Sequence, residues 1–126
     1  MIDGWIARKI GLKAGEGLTR EALGRWQLER LRETVLCAKN ESLHYAGSFV
    51  HLDPEKDLQS LCDIEKLPFT DESALKSSGS SMLCVPASRV SRIVTLDTSG
   101  TTGSPKRVCF TEADQELMAD YIHNGL

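Results

Sequence analysis

The spacing of apolar residues changes along this 126-residue chain and divides it into parts. From Thr19 to about Lys39, Leu28, Leu31, Val35 and Ala38 recur at three- and four-residue steps, with Leu23, Trp26 and Leu36 widening the stripe. That is the period of one helix face, on which Trp26 is read as core. Thr19 stands where an N-cap belongs, and Glu21 follows in the first turn, where a carboxylate is favoured. Arg25, Glu29, Arg30, Arg32 and Glu33 fall on the other side, where opposite charges one turn apart can pair, so that face is read as solvated. Ahead of it, Asp3 caps a short helix whose Trp5, Ile6 and Ile10 share a face and dock on the rest of the fold. Two glycines make 13–17 a loop.

Beyond the long helix the pattern loosens. Residues 40–52 are read as an irregular packed connector. Its His44, Tyr45 and His51 invite a catalytic reading, but no cysteine, serine or carboxylate is spaced to complete a constellation. Asp53 followed by Pro54 starts a helix, and short turns continue to Glu65 until Leu67 and Pro68 stop them. Thr70 caps a further short helix with Asp71 and Glu72 in its first turn and Ala74 and Leu75 facing inward. These adjacent carboxylates do not project to one point, so they serve the helix end rather than acid–base chemistry.

The serine-rich stretch 77–81 is read as flexible and as the internal boundary. It separates a helical part, 1–80, from a β-rich part, 81–126. Residues 82–85 read as a short strand ended by Pro86, and 90–96 as a second, β-branched strand. A third covers 107–110. Thr111 and Asp114 form a capping box with Asp in place of Glu, opening a helix with Leu117, Met118, Tyr121 and Ile122 on one face.

Composition changes this picture little. Apolar residues at 40% and charged residues at 26% suit a globular domain, which at this length is expected to bury near 65% of its unfolded surface. A net charge of −3 argues against nucleic acid or an anionic membrane as the main partner. Four cysteines, Cys37, Cys62, Cys84 and Cys109, stand more than twenty residues apart, without zinc-ligand spacing. They read as buried free thiols of a cytoplasmic protein, since neither a secretory signal nor a membrane-length apolar run is visible.

The chemistry concentrates at 98–106, where Thr98, Ser99, Gly100, Thr101, Thr102 and Gly103 are followed by Ser104, Pro105 and Lys106. Glycine permits the conformations that turn several N–H groups toward one point. The hydroxyls can donate to phosphate oxygens, and Lys106 brings a compact positive charge. An ordinary turn between strands needs one or two such residues, not this whole run. The order also departs from the G-x-x-x-x-G-K-[ST] loop, because Ser104 and Pro105 intervene and a strand, not a helix, follows.

This run resembles the phosphate-binding loop of the adenylate-forming superfamily, specifically the branch of phenylacetate–CoA ligases and coenzyme F390 synthetases. The likeness extends to Trp26, Gln27, Leu28 and Leu31, to the turn at 40–49, to Leu67, Pro68, Phe69, Thr70 and Leu75, and to Thr111, Glu112, Ala113 and Asp114. The resemblance implies an α/β enzyme, of which this chain would supply a helical subdomain and a strand–loop–strand–helix unit, α+β in isolation. It implies ATP with Mg2+, a carboxylic acid and coenzyme A as reactants. Thr98, Ser99, Gly100, Thr101, Thr102, Gly103 and Lys106 would contact the β- and γ-phosphates.

Members of that family are several hundred residues long. The adenine-binding stretch, the ribose-binding Asp and the catalytic Lys of their C-terminal domain have no counterpart here. Two readings follow: an N-terminal piece of a ligase, inactive alone, or a non-catalytic interaction module or split-enzyme subunit that kept the loop. Two strands and an amphipathic helix leave apolar surface uncovered, so self-association or a partner subunit is expected.

Overall fold

The computed structural model describes residues 2–96 and 105–125. Its described elements are six α-helices and one two-stranded antiparallel sheet, an α+β arrangement. In order they are α1 (Ile2–Lys9), α2 (Arg20–Glu41), α3 (Leu43–Ser48), α4 (Pro54–Asp57), α5 (Glu72–Ser78), β1 (Arg92–Leu96), β2 (Lys106–Phe110) and α6 (Glu112–Gly125). Three 3-10 turns, at Leu61–Lys66, Gly79–Met82 and Ala87–Arg89, join them.

Local capping chemistry sets most helix starts. The Thr19 hydroxyl accepts from the Ala22 N–H at 3.1 Å, and Asp53 accepts from Glu55 with Pro54 at the first helical position. At α6 the box is reciprocal: Thr111 N–H donates to Asp114, and Asp114 N–H donates to the Thr111 hydroxyl. The Thr111 N–H and hydroxyl hold the Asp114 carboxyl below its usual range. The Asp63 carboxyl is held at about 2 by Lys66 and by the Ser60 and Gln59 N–H groups.

Several expectations are corrected. Residues 40–52 are not irregular: α2 runs to Glu41, and Ser42 caps α3 by accepting from Tyr45 N–H at 3.3 Å. The cap of α5 is Asp71, accepting from Ala74 N–H at 2.7 Å, because the Thr70 hydroxyl is engaged by Tyr45 at 2.8 Å. Residues 77–81 are helical rather than coil, with α5 passing directly into a 3-10 turn. No strand forms at 82–85, since the described sheet contains only β1 and β2 and offers that segment no ladder partner.

The core lies under α2. Val35, Phe49 and Leu58 are buried, and Leu28, Leu31, Ala38, Tyr45, Leu52 and Leu67 pack around them. Leu36 is about half exposed, and Trp26 stands outside this cluster with Arg30 over its ring. Arg32 belongs to the packed side rather than the solvated one. Its guanidinium donates to the Leu58 carbonyl at 2.8 Å and lies 3.4 Å from Glu55. The cysteines are free, but Cys37 and Cys62 are exposed and Cys84 and Cys109 only half-buried. At the other end of the chain, Trp5 donates to Asp120 at 3.1 Å and Lys9 pairs with it at 2.6 Å, docking α1 on α6 as expected.

The accessible surface is 9343 Å² for a 13.9 kDa chain. A compact monomer of that mass would show about 6,700 Å², so roughly half the unfolded surface is buried rather than near 65%.

Candidate functional site

β1 and β2 pair antiparallel from Arg92 with Phe110 to Leu96 with Lys106. The last rung sets Leu96 and Lys106 side by side, one on each side of residues 97–105. The two strands are therefore successive arms of one hairpin, as expected for a strand–loop–strand unit. Thr98, Ser99, Gly100, Thr101, Thr102 and Gly103 lie outside the described residues. Lys106 lies inside them, as the first residue of β2.

The sheet fixes the Lys106 backbone, and its side chain reaches across to α5. Its ammonium lies 3.3 Å from a Glu72 carboxylate oxygen, which also pairs with Lys76 at 2.8 Å. Lys76, and after it Lys106, hold the Glu72 carboxyl below its usual range. Glu72 therefore does more than serve its helix end, which is capped by Asp71. Its pairing with Lys76 is an i,i+4 contact that went unread in the sequence although helix spacing brings it about. Its contact with Lys106, 34 positions away, was not legible there.

Glu72 is half exposed, and an ion pair so open to water is weak. A polyanion can thus draw the lysine away at little cost. Arg107 pairs with Thr95 in the ladder and is exposed. Tyr45 stacks on Phe49 with ring centres 5.2 Å apart, and the His44 ring meets Tyr45 edge-on, which is packing geometry.

Two concavities lie elsewhere. A polar one of about 460 Å³, lined by Arg89, Ser91, Thr111, Glu112 and Glu116, sits at the Arg92 and Phe110 end of the hairpin. Four residue steps of strand, about 13 Å, separate that end from Lys106. An apolar groove of about 650 Å³ opens on α2 between Leu31, Val35, Phe49 and Leu67. Among the described residues no three His, Cys, Asp or Glu side chains gather in a metal-holding group, and no helix is long and apolar enough to cross a membrane.

No protein-family model matches the chain. Among curated proteins it is 36% identical over 116 residues to a phenylacetate–coenzyme A ligase of Aromatoleum evansii, covering 88% of this chain and 25% of that protein. Phenylacetate–coenzyme A ligases of Pseudomonas putida and Thermus thermophilus are 34% and 31% identical, over 84% and 88% of this chain. The chain spans about a quarter of the length of each. It is a relative of the phenylacetate–CoA ligases, as the resemblance in the sequence implied.

Proposed function

We propose that this chain is the N-terminal part of an AMP-forming acyl- or aryl-CoA ligase and carries that enzyme's ATP phosphate loop. The observation that carries the reading is likeness to three phenylacetate–CoA ligases along at least 84% of the chain, with a hydroxyl- and glycine-rich run inside it. Residues 1–80 form a helical subdomain, and 81–126 bring the loop.

The reaction joins a carboxylate to the α-phosphate of Mg-ATP, releasing pyrophosphate, and the CoA thiol then displaces AMP. Charge gathers on the leaving pyrophosphate oxygens, and preorganised donors lower the barrier most where that charge develops. Thr98, Ser99, Gly100, Thr101, Thr102 and Gly103 supply N–H and hydroxyl donors to the β- and γ-phosphates. Lys106, anchored by the sheet and held by Glu72 until phosphate arrives, supplies the positive charge. The acid, adenine and CoA sites belong to the remaining three quarters of the enzyme. By itself the chain binds ATP weakly and does not turn over, and the whole enzyme works in the cytoplasm.

A chimaera in which this chain replaces the aligned quarter of the Aromatoleum evansii ligase tests the reading. It is expected to release pyrophosphate from ATP with an arylacetic acid and CoA. Lys106→Ala combined with Gly103→Ala is expected to slow release by about tenfold or more. Unchanged turnover in that variant would overturn the assignment of the loop.

One observation favours the second reading, a non-catalytic module or split-enzyme subunit. Ile93 and Leu96 on β1 and Leu117, Met118, Tyr121 and Ile122 on α6 are all exposed, apolar side chains that a partner or a second copy would cover. Under that reading the chimaera is inactive, while sedimentation of the chain shows a defined oligomer.

A further inference from the structure

We propose that Cys37 and Cys84 are an oxidisable pair whose disulfide pins the connector ahead of the hairpin onto α2. The inference is independent of the ligase reading.

Four observations bring the two thiols together. Ser42, at the C-cap of α2, is 1% exposed, and its hydroxyl donates to the Ser81 carbonyl at 2.9 Å, which fixes residue 81 at the end of that helix. Leu83 is extended after the 3-10 turn that holds Ser81 and Met82, so the three steps from Ser81 to Cys84 cover at most about 10 Å of chain. Cys37 lies five residues before Ser42, about 7.5 Å along the helix axis, so the connector has the reach to meet it. Both cysteines line the same apolar groove, together with Thr34, Ala38 and Phe49.

The electrostatics agree with that placement. Burial first, and then the Cys37 thiol beside it, push the Cys84 thiol above its ordinary value. Cys84 stays protonated, with its thiol toward the Met82 carbonyl at 3.7 Å, whereas Cys37 is exposed to any oxidant. Cys62 is on the 3-10 turn Leu61–Lys66 and Cys109 is in β2, and neither lines the groove.

The chemistry balances with a small-molecule disulfide such as oxidised glutathione. The Cys37 thiolate attacks one sulfur of the oxidant and expels a glutathione thiolate, leaving a mixed disulfide on Cys37. Cys84 then loses its proton and attacks the Cys37 sulfur, expelling the second glutathione. Two protein thiols give up two electrons and two protons, and one oxidised glutathione becomes two reduced ones. The second step depends on the Cys84 thiolate and so quickens as pH rises. The connector leads through Ala87–Arg89 into β1, so the bridge restrains the approach to the hairpin.

The test treats the chain with oxidised glutathione, blocks remaining thiols with iodoacetamide and maps peptides without reduction. The expected result is joint loss of alkylation at Cys37 and Cys84, a linked peptide containing both, and full reversal by dithiothreitol. Cys62→Ser with Cys109→Ser should leave this unchanged. Cys84→Ser should stop at a glutathione adduct on Cys37. A wild-type chain that also stops at that adduct, or links Cys37 to another cysteine or a second chain, overturns the proposal.

Discussion

The segment from Val35 to Leu58 and the hairpin with α6 have similar shares of apolar residues but bury them differently. Every buried side chain among the described residues falls in the first segment, and none in the second. Leu58 is wholly screened from water, whereas Ile93 and Ile122 are more than half exposed. The difference is one of enclosure. α2, α3, α4 and the Gly79–Met82 turn surround one point, and Arg32, Lys39 and Ser42 satisfy the carbonyls of Leu58, Leu52 and Ser81 at its edge. A two-stranded sheet with one helix beside it has too few layers to enclose anything. What holds the second region is largely its ladder, plus polar ties from Trp5 and Lys9 to Asp120 and from Lys106 to Glu72.

The sharpest way to break the contrast is Leu58→Ala. Three buried apolar side chains make the core, so removing one should cost about 2–5 kcal/mol, read by urea denaturation followed by helical circular dichroism. A loss below about 1 kcal/mol would mean that the helical region is not held by this core.

Ser42→Ala should come next. It deletes a buried donor to Ser81 and the cap of α3, for about 1–2 kcal/mol in the same assay. No loss would make that tie incidental.

Acid should then undo the second region's polar tie. Lys9, and after it the Trp5 indole N–H, hold the Asp120 carboxyl below its usual range. A carboxyl lowered on folding stabilises above its unfolded pKa of about 3.9 and loses that contribution as pH falls through the folded value. Trp5 fluorescence should therefore stay flat down to about pH 4 and report release of α1 below it, with Asp120→Asn showing the released signal at neutral pH. A flat profile in both would show that α1 is held by the Trp5 and Tyr121 rings alone.

The smallest effect belongs to the uncovered face. Leu117→Ser and Ile122→Ser should change stability by no more than about 0.5 kcal/mol, because their side chains are already largely in water. A larger loss at high protein concentration only would reveal a second copy covering that face.

What was legible in the sequence was local. The Thr19 cap, Asp53 with Pro54, and the Thr111 and Asp114 box each act within three residues, so a single window contains cause and effect. The strands flanking 98–106 could be read for the same reason, from β-branched residues beside a glycine-rich run. What failed was non-local. Thr70 looked like a cap until Tyr45 took its hydroxyl, and Arg32 looked solvated until the Leu58 carbonyl claimed it. Residues 82–85 had strand composition but no partner to complete a ladder.

The sequence by itself determined the starts of α2, α4 and α6, the hairpin arms and the likeness to phenylacetate–CoA ligases, because these follow from the order of neighbouring side chains. Only the tertiary structure decided which apolar residues are shielded, that Glu72 meets Lys106, and that Cys37 and Cys84 share one groove. Burial and pairing depend on what other segments bring to a position, and chain spacing does not carry that information.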